Sequence, residues 1–268
     1  ILIAASGVNG ITYYLVKYNL SYDKCVTADN FTEIKMYSAF DYVLVAGAKD
    51  KYLHLKAYDD SLVNKFYTTV EFEGKLNLVD ILPTISGHSI YVNVAKESPC
   101  AYITNFSQKG DFQSKSVISD GKLLKIVPTN KGYTMLEKSG ETLYLKAVDF
   151  ARKQLFRTMI GEGSGGDFYP LPNGYIAFIY GQDTLSKHLC SYGDIITVNE
   201  NDFKNILSIN SYAEGTDCIY FYADVKNSLG GKDTAIINYT SNNIVNYSKI
   251  IGGNYSEQAN SIEIDAVS

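Results

Sequence analysis

Residues 42–69, YVLVAGAKDKYLHLKAYDDSLVNKFYTT, contain three strand-like runs in succession. The first run is Tyr42 to Ala46, the second is Tyr52 to Tyr58, and the third is Lys65 to Thr69. Apolar, β-branched and aromatic residues dominate these runs, and turn-forming residues separate them, as is typical of β-strands. Because the connections are short, the stretch predicts an antiparallel meander.

The middle strand of this meander recurs along the whole chain. Its copies start 40 to 48 residues apart, at Leu15, Leu55, Ile103, Leu145, Leu189 and Ile236. A strand precedes each copy, and ahead of it lies another element, often with a Pro and a Gly that we expect to form the turn between the first two strands. This period, with strands and turns but no helical pattern, predicts four-stranded blades around an axis.

The two ends of the chain complete one repeat. The chain opens on Ile1 to Ala5, which corresponds to the second strand of the other copies, so the first copy lacks a first strand. The strand-like segment 261–267 has no strand after it, and read circularly it precedes Ile1 at the repeat spacing. We therefore predict an all-β fold, a six-bladed β-propeller of four-stranded antiparallel blades forming a single domain over residues 1–268. The strand 261–267 joins the N-terminal blade, and such closure protects the sheet edges.

With this pattern the chain resembles the six-bladed β-propellers, particularly the loosely patterned repeats of secreted prokaryotic proteins. The resemblance covers the whole chain and rests on spacing, because the WD40, kelch and sialidase signatures are missing. It implies a fold and no functional residues. A pair of β-sandwich domains is the structural alternative, and it would not require even spacing.

Composition restricts the compartment and the partners. The net charge is −5, and the only arginines are Arg152 and Arg157, so no basic stripe is available for nucleic acid. No apolar run approaches the roughly 20 residues that span a bilayer, so no transmembrane segment is predicted. The four cysteines have no metal-type spacing and leave free thiols and disulfides both open.

Six Asn-x-Ser/Thr sequons point to export, although an Asn-rich chain produces some by chance. We expect an extracellular or cell-surface glycoprotein, and the start at Ile1 fits a removed leader or a fragment. The predicted glycosylation sites are Asn30, Asn254 and Asn19; the other sequons are at Asn105, Asn238 and Asn246.

In a propeller, the connections that leave the fourth strand and those that join the second to the third strand share one face, which usually carries the site. Nearly every such connection in this sequence brings a carboxylate, and tyrosines accompany them. Ordinary solvated loops account for the pattern, but so does a surface for a partner or for Ca²⁺. The predicted binding residues are Glu71, Glu73, Asp120, Glu162, Tyr180, Glu200, Asp202 and Tyr255.

A central channel offers a second kind of site. Glu263, Asp265 and Asp80 lie on predicted innermost strands, and Asp167 follows a glycine-rich connection. As oxygen ligands these four would hold Ca²⁺, or would line the channel of a metal-dependent, lactonase-like hydrolase. The histidines do not form a catalytic set, because His54 and His188 fall in third strands of different blades and His88 falls in a predicted turn.

The sequence thus favours a non-catalytic extracellular or cell-surface propeller that presents a loop-rich face to a protein or glycan partner, or that packs into an assembly. The alternative is the metal-dependent hydrolase with carboxylates in its channel.

Overall fold

In the computed structural model, six antiparallel sheets follow one another along the described part of the chain. Five of these sheets have four strands, and the first has three. The structure describes residues 2–7, 10–16, 22–27, 31–39, 41–171, 174–181, 185–190, 194–196, 206–214, 218–226, 229, 231–240 and 245–251.

The chain divides into two compact units, residues 1–128 and 129–268. The first eleven strands lie in the first unit: β1 Leu2–Gly7, β2 Gly10–Val16, β3 Tyr22–Thr27, β4 Glu33–Ser38, β5 Val43–Lys49, β6 Tyr52–Tyr58, β7 Asn64–Glu71, β8 Lys75–Thr84, β9 Gly87–Ala95, β10 Cys100–Ser107 and β11 Phe112–Ser119. The remaining strands are β12 Lys122–Thr129, β13 Gly132–Ser139, β14 Thr142–Asp149, β15 Gln154–Glu162, β16 Gly165–Leu171, β17 Gly174–Tyr180, β18 Leu185–Cys190, β19 Asp194–Ile196, β20 Ile206–Glu214, β21 Cys218–Lys226, β22 Lys232–Thr240 and β23 Val245–Ile251.

Every sheet is a meander in which sequential strands pair antiparallel. The sheets are β1–β3, β4–β7, β8–β11, β12–β15, β16–β19 and β20–β23. The predicted all-β fold with four-stranded antiparallel sheets is therefore confirmed. No helix in the described ranges is long and apolar enough to cross a membrane.

Antiparallel order places the connections at two ends of each sheet. The connections between the first and second strands and between the third and fourth strands lie at one end, which we call the turn end. The connections between the second and third strands, and those from one sheet to the next, lie at the opposite end, which we call the linker end.

In the four-stranded sheets, the second strand is the most buried of the strands whose burial the structure describes. In β5 the run from Leu44 to Ala48 is buried, and in β9 the run from Gly87 to Val94 is buried. The fourth strands instead alternate between exposed and partly buried residues, as in β7 and β15. A meander with buried inner strands and a half-exposed edge strand is what the continuous apolar run at 42–46 predicts.

The turns between first and second strands differ from the sequence prediction. Pro83 and Pro128 lie inside β8 and β12 rather than in the turns, and His88 lies in β9 rather than in a turn. Proline is tolerated there because β8 and β12 are edge strands, in which one side of the backbone has no ladder partner. The two-residue turns that follow contain no proline, and the next strands begin with Gly87 and Gly132.

The turns between third and fourth strands share one construction. Asp59, Ser107 and Asp149 each begin such a turn, and their side-chain oxygens accept hydrogen bonds from backbone N–H groups two or four residues later. The fourth residue of each turn has a positive φ: Leu62, Gly110 and Arg152. Short polar side chains stabilise such turns by this local hydrogen bonding.

In both units, side chains of one sheet bond to the backbone of the next sheet. In the first unit, the Glu33 carboxylate accepts hydrogen bonds from Asn77 Nδ2 and the Leu78 N–H, both at 2.6 Å. Asn93 bonds both the N–H and the carbonyl of Leu123 at 2.7 Å. In the second unit, the Ile209 N–H donates to the Tyr180 hydroxyl at 3.1 Å. These bonds satisfy polar groups where sheets pack face to face.

Glycine is required where β13 begins. Gly132 has φ +154°, and a Cβ added to it would lie 2.0 Å from the Val148 carbonyl oxygen. Gly140, in the turn after β13, has φ +60° and nothing within 4 Å of an added Cβ.

We expect Gly132→Ala to lower the free energy of unfolding by about 3 kcal/mol, because it adds a backbone clash to the strained dihedral. The matched Gly140→Ala should cost only about 1 kcal/mol, the left-handed strain alone. Urea unfolding of both variants checks this, and equal losses would contradict it.

Candidate functional site

A cleft of about 710 Å³ opens at the turn end of the first unit, between the sheets β4–β7 and β8–β11. Residues from both sheets line it, and they come from the β4 end and the β4–β5 connection (Tyr37, Ala39, Asp41, Tyr42), the start of β7 (Lys65, Phe66), the β8–β9 hairpin (Pro83, Thr84, Gly87, His88) and the β10–β11 turn (Gln108, Lys109). Its volume suits a small ligand or a few residues of a peptide.

A hydrogen bond between Tyr42 and His88 forms the floor of the cleft. The Tyr42 hydroxyl and His88 Nε2 are 2.6 Å apart, and the two rings meet edge to face with centroids 5.8 Å apart. Phe66 meets the Tyr42 ring edge to face at 6.0 Å, and Tyr37 lies 6.1 Å from the His88 ring. These contacts between sheets fix the aromatic side chains in place.

His88 is buried, with 4% of its surface exposed. Its Nδ1 atom has no hydrogen-bond partner within the described part of the chain. Burial lowers the pKa of His88, because a charged imidazolium would lose its hydration. Burial also raises the pKa of Tyr42. Both rings are therefore neutral at pH 7, and the floor of the cleft carries no charge.

The rim of the cleft is charged and exposed. Lys65 Nζ lies 2.6 Å from Asp41 Oδ2 and 5.4 Å from the centre of the Tyr42 ring. Their hydrogen bond lowers the pKa of Asp41 and raises the pKa of Lys65. Lys109, in the β10–β11 turn, also lines the cleft and is exposed. The rim thus carries a further cation beside the Lys65–Asp41 pair.

The size of one side chain helps to explain why the cleft is open here. The second residue of the second strand is His88 in β9 and Tyr175 in β17. In the second unit the Tyr175 ring packs against Phe156 and Phe168, and its hydroxyl lies 2.8 Å from Thr134 Oγ1. The larger ring thus fills the corresponding position, whereas the smaller imidazole leaves space in the first unit.

The described carboxylates of the predicted binding surface lie at the linker end, away from the cleft. Glu71 pairs with Lys51 at 2.5 Å and Glu73 with Lys96 at 3.4 Å, all on exposed side chains. Asp120 and Glu162 are exposed in the connections after β11 and at the end of β15. Glu200, Asp202 and Tyr255 lie outside the described residues, as do the predicted glycosylation sites Asn19, Asn30 and Asn254. A shared surface built from these residues stays a prediction.

Two predicted residues of the second unit do come together. Asp167 accepts a hydrogen bond from the Tyr169 hydroxyl at 2.7 Å, and burial together with the Asp167 charge raises the pKa of Tyr180. Because the Tyr180 hydroxyl also accepts the Ile209 N–H, this group links two sheets.

The predicted metal ligands are only partly described. Asp80 is half-buried and accepts the neighbouring Ile81 N–H at 2.8 Å, and Glu263 and Asp265 lie outside the described residues. Over the residues that the structure describes, no three His, Cys, Asp or Glu side chains are grouped so that they could hold a metal ion. The Ca²⁺ site therefore stays a prediction.

Sequence reasoning missed Tyr42, Lys65 and His88 as site residues. A signal existed for His88: three second strands begin with glycine, and the residue that follows is His88 in one and tyrosine in the other two, Tyr133 and Tyr175. A histidine at a position that is tyrosine in β13 and β17 indicates a local change in packing.

No protein-family model matches the chain, and no curated protein resembles it in sequence. Solved structures do resemble it in fold. The Dos1 propeller matches 96% of this chain and 69% of its own at 11% identity and a TM-score of 0.63. An uncharacterized protein from Listeria monocytogenes EGD-e matches 99% and 82% of the two chains at 11% identity and a TM-score of 0.58. BBS1N, in complex with ARL6DN, matches 97% and 85% at 12% identity and a TM-score of 0.53. These likenesses support a β-propeller over a pair of β-sandwiches and show the fold alone.

The burial of His88 predicts a pH dependence of stability. The pKa of His88 in the folded chain lies below 6.5, so below pH 6.5 the unfolded chain binds a proton that the folded chain does not. We expect the free energy of unfolding of the wild type to fall between pH 7.5 and pH 5.5, and His88→Gln to lose part of that fall. Asp41, Lys65 and Tyr42 do not titrate in this window. Urea unfolding at three pH values checks this, and parallel curves for the two proteins would contradict it.

Proposed function

We propose that the chain is a non-catalytic binding propeller and that the cleft receives a short segment of a partner protein. The observation that carries the proposal is the composition of the cleft: a fixed, uncharged aromatic floor between two sheets, with Lys65, Asp41 and Lys109 at its rim. Apolar pockets with a few polar groups at the edge are where proteins bind ligands and anchor partner side chains.

A protein segment suits the surroundings of the cleft better than a sugar. Next to the cleft, the apolar side chains Val63 and Ile85 are 54% and 102% exposed. A glycan offers mostly hydroxyl groups to such a rim, whereas a peptide offers apolar side chains that bury it. BBS1N, whose structure resembles this chain in fold, is in complex with another protein, ARL6DN.

We propose further that the propeller has six blades of the secreted prokaryotic repeat type and that residues 261–267 close it. This is supported by the three strands of the first sheet, β1–β3, where the other sheets have four.

We also propose the predicted extracellular or cell-surface location. Asn105 lies in β10 with its side chain bonded to Ser89 and Ser114, and Asn238 is buried in β22, so neither sequon suits glycosylation. Support for export therefore rests on the four other sequons, Asn19, Asn30, Asn246 and Asn254. Glycopeptide mapping after secretion from a eukaryotic host that finds no sugar at these residues would remove that support.

The closure proposal predicts the effect of a truncation. Deleting residues 261–268 should lower Tm by at least about 5 °C, because the first sheet would lose its fourth strand and expose an edge. A synthetic peptide of residues 261–268 should restore part of the loss, and a scrambled peptide should not. An unchanged Tm after truncation would contradict the closure.

The binding proposal predicts the outcome of a peptide selection. A random-peptide display library panned on the wild type should enrich sequences that share an apolar or aromatic anchor. His88→Tyr should weaken their binding at least about tenfold, because a ring of the Tyr175 size fills the floor. Glu97→Gln, an exposed residue of the β9–β10 connection at the linker end, is the control and should leave binding unchanged.

Enriched peptides that bind wild type and His88→Tyr equally would contradict the assignment of the site. Failure to enrich any peptide family over repeated selections would count against a peptide-binding cleft. Thermal unfolding of His88→Tyr separates lost binding from lost folding.

A further inference from the structure

We infer that the partner of the cleft is a second copy of this chain, which inserts Ile85 into it. This inference rests on the proposed function, since it names the partner of the same cleft. It starts from the most exposed apolar side chain in the described part of the chain, which lies beside the cleft rather than elsewhere on the surface.

Ile85 lies in the two-residue turn between β8 and β9 and is fully exposed, at 102%. The residues that flank this turn, Thr84 and Gly87, line the cleft. An aliphatic side chain at the tip of a hairpin contributes nothing to folding, and in water it costs free energy that burial would recover. The hairpin therefore presents the Ile85 side chain, which we call the knob, at the edge of the cleft, which we call the hole.

A knob and a hole side by side make a surface that can complement itself. In a twofold dimer the same patch contacts itself, so each copy must carry both the inserting and the receiving element. Here both elements belong to the β8–β9 hairpin and its neighbours at the turn end, so one twofold axis between them would seat two knobs in two holes at once.

Further exposed apolar side chains lie at the same end of the sheets as Ile85 and the cleft. Val63, in the turn before β7, and Phe112, at the start of β11, are 54% and 47% exposed. Both lie at the turn end of the sheets that form the cleft. They would extend the buried area beyond the knob itself, which a specific interface requires.

The charges at this end are mixed in sign. Lys65 and Lys109 lie at the rim, and Asp41, Asp60 and Asp111 are exposed in the same connections. A surface of one sign would repel its own copy, whereas a mixed surface lets a twofold axis bring Lys109 of one copy near a carboxylate of the other. Charge complementarity thus permits a second copy as the occupant.

Two variants remove the two halves of the contact. Ile85→Asp removes the knob and replaces a fully exposed side chain, so it should not affect folding. His88→Tyr fills the hole. We expect analytical ultracentrifugation up to about 100 µM, above the micromolar range of weak specific interfaces, to show a reversible wild-type dimer. Each variant should raise the dimer dissociation constant on the order of 10-fold to 100-fold.

Mixing the two variants gives the decisive readout. A mixed dimer retains one intact contact, because the Ile85 knob of the His88→Tyr copy enters the open cleft of the Ile85→Asp copy. Differently labelled variants should therefore associate more tightly with each other than either does with itself. Equal association in all combinations, or a wild-type dimer insensitive to Ile85→Asp, would overturn the inference. A wild type that stays monomeric up to about 100 µM while binding the selected peptides would overturn it too, and would leave the proposed function standing.

Discussion

The burial of the second strand on both faces, as in β5 and β9, is the constraint on which the rest of the described structure depends. A strand such as β9, buried from Gly87 to Val94, leaves neither face to water, so side chains on both of its faces need packing partners. Polar groups on such strands then need partners nearby. Asn93 finds them on the backbone of Leu123, and His88 finds one in the hydroxyl of Tyr42. Packing of sheet on sheet thus determines which polar side chains the strands can carry.

The cleft follows from the same constraint. The start of β9 lines the cleft at the turn end, and a larger aromatic residue occupies the equivalent position of β17. Tyr175 fills that position in the second unit, with two ring contacts and a hydrogen bond to Thr134. His88 keeps a hydrogen bond to the neighbouring sheet but occupies less volume. The site is thus a local loss of packing within a repeated design, and loss of packing leaves apolar surface available to a partner.

The sequence predicted the meanders because alternation and turn residues are local signals, and the regular spacing extended them to the whole chain. The residues at which strands end and turns begin were less predictable. Pro83 was placed in a turn although an edge strand tolerates it, since edge position depends on which strands pair, and sequence alone does not show this. The cleft was missed for a related reason. A histidine in a strand carries no chemistry until its neighbours are known, and Tyr42 lies 46 residues from it.

The two ends of the sheets differ in how strongly contacts with a partner would stabilise association. At the linker end, Glu71 and Glu73 are already paired with Lys51 and Lys96 on the exposed surface, and a partner that replaced those lysines would gain little, because water screens such pairs. At the turn end, Ile85 is fully exposed, and burial of such a side chain is worth about 1.5–3 kcal/mol. The carboxylates in the sequence predict a binding surface at the linker end. Unburied apolar surface, which the sequence does not reveal, favours the turn end as the place where association is most stabilising.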